Sequence, residues 1–220
     1  MKKLLTIGDS HSSTIWGESW PYFLASDINH ELFRASSPGA GNAFYIEKLH
    51  EGLKEFKPDL VVIQLTEPIR VVTGYVQPEQ ESFNEYDSGC SFKDLACYTW
   101  NAHNNNDNLN VNIDEFWFKQ VVTSKWIDYK VMQDVFTLSQ LCIKFNTPVI
   151  FWSWNVPFQN LFVNSYDWLK KDLNYVEDCG ESIMRKFKQP FLSPTNYHYG
   201  PSSHKLMCTK WLSNQILKKL

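Results

Sequence analysis

The sequence has no apolar run long enough to cross a bilayer, no excess of basic residues and no paired cysteine motif. Its longest wholly apolar stretches are a few residues, whereas a transmembrane helix needs about 20. Lys and Arg number 21 against 24 Asp and Glu, which gives a net charge of −3, and no basic stripe is visible. These absences argue against a membrane span and against a nucleic-acid partner.

Cysteine usage and the first residues bear on the cellular compartment. The five cysteines are an odd number without Cys-x-x-Cys spacing, which argues against a disulfide framework and against a zinc site. The segment from Met1 to Leu5 begins like a signal peptide, but Asp9 follows too soon and no small-residue cleavage site comes after it. We therefore expect a cytoplasmic protein with reduced thiols.

The remaining composition is that of a globular protein. Hydrophobic residues make up 43% of the 220 positions and charged residues 20%, so disorder is not indicated. A chain of this length buries roughly 70% of its unfolded surface and needs no metal or disulfide to fold. Aromatic residues reach 15%, with nine Trp, which suits a dense core or a stacking site for a sugar or a base.

Short runs of apolar residues alternate with longer stretches in which apolar residues recur at the spacing of a helix. Strands are predicted at 3–7, 31–35, 60–65 and 148–152, and helices at 16–24, 43–56, 113–145 and 202–217. The run from Leu60 to Leu65 is nearly all apolar and largely β-branched, as in a strand buried on both faces of a parallel sheet. The pattern predicts a single α/β domain over residues 1–220, a three-layer α/β/α sandwich with a mostly parallel, flavodoxin-like sheet.

An irregular polar insertion at about 71–112 interrupts this alternation, and it ends in an Asn-rich stretch at 101–108. A long loop of this kind is either a functional lid or binding loop, or a surface loop without a role. It follows the third predicted strand directly. We therefore expect it to overhang the carboxyl edge of the sheet and to shape access to Ser10.

Ligands of open α/β sheets bind beyond the carboxyl ends of the strands. Ser10 comes directly after the first predicted strand, where its hydroxyl would be exposed and its own N–H could stabilise an oxyanion. Gly39 or Gly41, after the second strand, would let another N–H approach the same point. A serine nucleophile needs a base, and the late histidines His198 and His204 are the candidates.

The short segments around Ser10, Gly39 and His198 resemble those of the SGNH (GDSL) hydrolases. The resemblance rests on Gly8-Asp9-Ser10 after the first strand, Gly39 after the second, and His198 with His204 before the last helix. The chain also resembles small SGNH-like proteins of phage and bacterial genomes. The residues that carry this second likeness are Trp20-Pro21, the loop from Pro38 to Asn42, and Gln64-Leu65-Thr66.

The resemblance implies an esterase without a cofactor, acting on a small-molecule or carbohydrate ester such as an O-acyl group. Ser10 would be the nucleophile and His198 the base, and the N–H groups of Ser10 and Gly39 would hold the oxyanion. Where the family has an oxyanion Asn, this chain offers the hydroxyl of Thr66. The positions that usually hold an acid before the histidine carry Thr195 and Asn196, which would orient the ring instead.

Three other interpretations stay open at this point. The same site would support O-acyl transfer to a sugar hydroxyl. The two departures from the family pattern favour a weak or inactive binding or structural module. The Asp9-x-His11 spacing also occurs in calcineurin-like metallophosphoesterases, although the further Gly-Asn-His ligand segment of that family is absent from the sequence.

Overall fold

The computed structural model describes residues 1–37, 40–65, 124–155, 169, 172–193 and 196–220. The strands are β1 (Lys2–Gly8), β2 (His30–Ser36), β3 (Leu60–Leu65), β4 (Val149–Ser153), β5 (Tyr175–Cys179), β6 (Phe191–Ser193) and β7 (Asn196–Tyr199). The helices are α1 (Trp20–Asp27), α2 (Asn42–Glu55), α3 (Ser124–Lys144), α4 (Gly180–Lys186), α5 (Pro201–Met207) and α6 (Ser213–Leu217). A π-helical turn, Cys208–Leu212, joins α5 to α6.

Five strands form one parallel sheet in the order β2-β1-β3-β4-β5. In the register of the central strands, Leu5 lies opposite Val61 and Val62 opposite Ile150. The order is that of flavodoxin-like sheets, in which β1 and β3 flank the point where the winding direction changes. The predicted α/β fold with a parallel sheet is thus confirmed. Strands β6 and β7 form a separate antiparallel pair.

The sheet is buried on both faces because helices pack on each side. Successive residues of β1 point to opposite faces, so Leu5 and Ile7 join one apolar core and Leu4 joins the other. The first core includes residues of α2 and α3. The second includes residues of α1, α4, α5 and α6. Burial on both faces explains why β3 is apolar at nearly every position.

Several elements differ from the sequence prediction. The helix expected at 16–24 begins only at Trp20, because Pro21 suits the first helical turn and has no N–H for an interior position. The helix expected over 113–145 is described from Ser124. The elements β5, α4, β6 and β7 were not predicted. The insertion at 71–112, with its predicted overhang of Ser10, lies outside the described residues.

None of the helices in the described ranges is both long and apolar enough to span a bilayer.

Gly180 at the start of α4 lies against two buried indoles. A Cβ on this residue would come within 2.7 Å of Trp154 Cε3 and 2.9 Å of Trp152 Cζ3. Both rings are almost fully buried and have little room to move. We expect Gly180→Ala to lower the free energy of unfolding by about 1–3 kcal/mol, the usual cost of overpacking. Gly200→Ala is the control, because its Cβ would meet only the tip of the exposed Leu192 side chain, at 3.2 Å. Urea unfolding measures both, and equal stability of the two variants would contradict the expectation.

Candidate active site

Ser10 lies in a tight turn directly after β1, at the carboxyl edge of the sheet. Residues Ser10–Ser12 form a single 3₁₀ turn, and Asp9 caps it by accepting a hydrogen bond from the His11 N–H at 2.9 Å. The turn closes through the Ser13 hydroxyl, which donates to the Ser10 carbonyl oxygen at 2.9 Å. The Ser10 residue is 7% exposed, so its hydroxyl lies at the bottom of a depression.

The turn is packed so closely that position 8 has no room for a side chain. A Cβ on Gly8 would lie 1.9 Å from Ser12 Oγ and 3.2 Å from the Cβ of Gln64. Ser12 Oγ is itself held, since it donates to Gln64 Oε1 at 2.6 Å and accepts from Trp20 Nε1 at 2.8 Å. Glycine at the end of β1 therefore permits the close approach on which the turn depends.

Gln64, near the end of β3, connects the turn to the neighbouring strand. Its Nε2 donates to Asp9 Oδ1 at 2.7 Å, and its Oε1 also accepts from Trp20 Nε1 at 2.9 Å. Gln64, Asp9 and Ser12 are fully buried, so each of these hydrogen bonds replaces one to water. One amide thus holds the Asp9 carboxylate, the turn and the first residue of α1 in a fixed relation.

His198 in β7 brings a basic nitrogen to the serine. Its Nε2 lies 3.0 Å from Ser10 Oγ, although the two residues are 188 positions apart in the chain. This distance is within reach for proton transfer from the hydroxyl to the ring. A serine and a histidine so placed have the geometry that activation of a serine hydroxyl by a base requires.

Aromatic rings surround the imidazole of His198. The Trp16 indole stacks on it, with a centroid distance of 3.6 Å, and the His11 ring contacts it at 4.8 Å. His11 stacks in turn on Trp154, at 3.9 Å and with an interplanar angle of 14°. The pocket beside Ser10 is therefore lined on one side by aromatic rings, and its lining also includes Ser13 and Glu18.

His204, the second late histidine, occupies α5 and borders the same pocket. Burial, and secondly the nearby His198, lower the pKa of His204 from 6.5 to about 4, although a hydrogen bond with the Tyr199 backbone opposes the shift. Its ring is neutral near pH 7. Its Nδ1 has no hydrogen-bond partner among the described residues.

The structure brings together Ser10 and His198 and leaves the other predicted site residues undescribed. Gly39, Thr66 and Thr195 lie outside the described residues, and Asn196 is placed only as the first residue of β7. Their suggested roles in holding the oxyanion and in orienting His198 stay predictions.

The metal-site alternative finds no support in the part of the chain that is described. The Asp9 carboxylate binds the His11 N–H and the Gln64 amide. No three His, Cys, Asp or Glu side chains of that part are grouped as metal ligands. Asp9 therefore acts here as a structural acceptor.

Sequence reasoning missed the roles of Trp16, Trp154 and Gln64. Trp16 was assigned to a helix, whereas it lies in the loop before α1. Trp154 directly follows β4, so its position at the carboxyl edge of a strand was a usable signal. Gln64 is the single polar side chain in the apolar run of β3, and a buried polar residue in such a run usually has dedicated partners.

Comparison with known proteins supports the fold-level resemblance. No protein-family model and no curated protein sequence matches the chain. Solved structures do match: the esterase EstA from Pseudoalteromonas sp. has a TM-score of 0.55 at 13% identity, covering 99% of this chain and 98% of its own. A GDSL-like lipase from Bacteroides thetaiotaomicron has a TM-score of 0.52 at 11% identity, covering 100% and 89%. The fold is that of the GDSL hydrolases.

A third neighbour of this GDSL fold is Axe2, an acetylxylan esterase from Geobacillus stearothermophilus. Its TM-score is 0.52 at 10% identity, and the match covers 99% of this chain and 93% of that one. At such identities the likeness establishes the architecture alone. The residue roles depend on the geometry given above.

The Gln64 network allows a stability test. In Gln64→Glu the shape is kept, but the donor to Asp9 is replaced by a second carboxylate. We expect the free energy of unfolding at pH 7 to fall by about 3 kcal/mol, because two buried carboxylates then face each other with no N–H donor between them. Gln133→Glu, the same change at an exposed position of α3, is the control. Both variants are measured by denaturant unfolding. If Gln64→Glu loses no more unfolding free energy than Gln133→Glu, the network contributes little to stability.

The lowered pKa of His204 makes stability dependent on pH. In the unfolded chain this ring binds a proton below about 6.5, whereas the folded protein takes it up only near 4. Folding is therefore opposed as the pH falls through this window, by about 3 kcal/mol at pH 4. We expect His204→Gln to flatten the dependence of unfolding free energy on pH between 6.5 and 4. The control is His50→Gln, at an exposed histidine. If the unfolding free energies of the wild type, His204→Gln and His50→Gln depended on pH in the same way, His204 would not be the source of the dependence.

Proposed function

We propose that the chain is a serine hydrolase that cleaves carboxylic esters, with Ser10 as the nucleophile and His198 as the base. The observation that carries the proposal is the 3.0 Å separation of Ser10 Oγ and His198 Nε2. The pair lies at the carboxyl edge of a GDSL-type sheet, where ligands of such folds bind. Esterases and lipases with this architecture are among the neighbours.

In the proposed reaction, Ser10 Oγ attacks the acyl carbon of the ester while His198 Nε2 takes the hydroxyl proton. The tetrahedral intermediate breaks the bond to the alcohol oxygen, which leaves with that proton. Water then attacks the acyl-serine, again with His198 as base, and the acid is released. This is the ordinary two-step route of serine-dependent acyl transfer.

The negative charge on the tetrahedral intermediate needs N–H donors aimed at it. Within the turn, the His11 N–H donates to Asp9 Oδ1, and the N–H groups of Ser12 and Ser13 donate to backbone carbonyls. Those three groups are therefore engaged. The proposed donors are the Ser10 N–H, the Gly39 N–H and the Thr66 hydroxyl, as the resemblance implies.

The proposed substrate class is a small O-acyl ester, with O-acetyl groups on carbohydrate as the first to test. One structural neighbour is an acetylxylan esterase. Hydrolysis of acetylated xylan, compared with butyryl and octanoyl p-nitrophenyl esters, tests this class.

A fluorophosphonate probe tests the catalytic assignment, because such probes phosphonylate only activated serines. The Pseudoalteromonas neighbour was itself solved inhibited by monoethylphosphonate. We expect labelling of the wild type at Ser10, none of Ser10→Ala, and labelling of His198→Gln slowed by roughly 10²–10⁴, the usual contribution of a positioned base.

Ser202→Ala, at an exposed serine of α5, serves as the control and should label at the wild-type rate. Melting temperatures establish that each variant is folded. A folded wild-type protein that takes up no probe would exclude the hydrolase and favour a binding module built on the same fold.

A further inference from the structure

His198, the base of the proposed catalytic pair, contacts Ser10 through Nε2 and also contacts aromatic rings through the face of its imidazole. The Trp16 indole lies 3.6 Å from the His198 ring centroid with an interplanar angle of 27°. The His11 ring lies 4.8 Å away at 34°, and it stacks on Trp154 at 3.9 Å. A continuous series of ring contacts thus runs from the loop before α1, through the base, to the end of β4.

Trp16 belongs to a loop that is itself anchored. The Gly17 N–H donates to the Thr14 carbonyl oxygen at 2.8 Å, and the Ser19 hydroxyl donates to the Ser12 carbonyl oxygen, also at 2.8 Å. Both ends of the loop are therefore bonded within the segment that carries the nucleophile.

The same loop contacts the segment that carries the base. Gly17 has a φ of +101°, a conformation that favours glycine, and a Cβ there would lie 2.8 Å from Cγ of Pro201. Pro201 begins α5, three residues after His198. The indole and the imidazole therefore belong to two pieces of backbone that pack directly on each other.

We propose that Trp16 is a positioning residue for His198, an inference that rests on the proposed function. An imidazole can rotate about two side-chain torsions, and only a narrow range of rotations points Nε2 at Ser10 Oγ. The indole packed on its face restricts that rotation, as the support of a catalytic group must. When the ring takes the proton from Ser10, the resulting cation also lies against the face of the aromatic group that binds cations best.

The inference predicts a specific kinetic pattern. We expect Trp16→Ala to lower kcat for an ester substrate, and the rate of fluorophosphonate labelling, by about a hundredfold, the typical cost of an ångström-scale misplacement of a catalytic group. KM should change by less than about threefold, since the residue acts through the base rather than by binding substrate. Trp16→Phe retains a flat ring at this position and should recover most of the loss.

Two further variants complete the experiment. Trp16→Leu keeps an apolar side chain of intermediate size but has no flat ring, and it should lose as much kcat as Trp16→Ala. The loss is then due to the missing ring rather than to the cavity that alanine leaves. Tyr129→Ala removes an aromatic that is 47% exposed, on α3, and should leave both rates unchanged. Thermal unfolding of all variants shows that the folded protein is being compared.

The outcomes separate this inference from the function on which it rests. Wild-type rates in folded Trp16→Ala would overturn the positioning role and leave the Ser10–His198 assignment standing. A rise in KM with unchanged kcat would also overturn it, because Trp16 would then bind substrate. Failure of the wild type itself to label would overturn the proposed function and the positioning role together.

Discussion

The candidate site depends on one buried amide, that of Gln64. It lies near the end of β3 and bonds to Asp9, Ser12 and Trp20, which belong to the segment between β1 and α1. Such a side chain is costly to bury unless each polar atom has a partner. Here Nε2 and Oε1 both have partners, so the same residue that interrupts an apolar strand also determines where the turn that carries Ser10 can lie.

The position of this turn then determines which groups can approach Ser10. With Ser12 held by Gln64 and Trp20, Gly8 must remain without a side chain. The backbone then leaves Ser10 at the carboxyl edge of the sheet, where His198 reaches it from the opposite end of the chain. Two aromatic rings, those of Trp16 and His11, lie against the His198 imidazole.

Much of the central sheet was predictable because its signals are local. Strands β1 and β3 are apolar runs whose ends coincide closely with the predicted ones. Strand β5 was missed because only Val176 and Cys179 of its five residues are buried and Glu177 is exposed, so it resembles a polar segment. The helix predicted from Trp16 begins only at Trp20, since Trp16 packs on His198 rather than on the sheet.

The sequence by itself determined the parallel α/β architecture, the serine after β1 and the late histidine block. These follow from short-range patterns and from a family resemblance, and each depends on neighbouring residues alone. The resemblance had already indicated His198 as the base. Only the tertiary structure decided that its Nε2 lies 3.0 Å from Ser10 Oγ, that burial keeps His204 neutral, and that Trp16 stacks on the His198 ring. The physical reason is that ring contacts and burial depend on how distant loops pack together, and no local pattern in the chain encodes such distances.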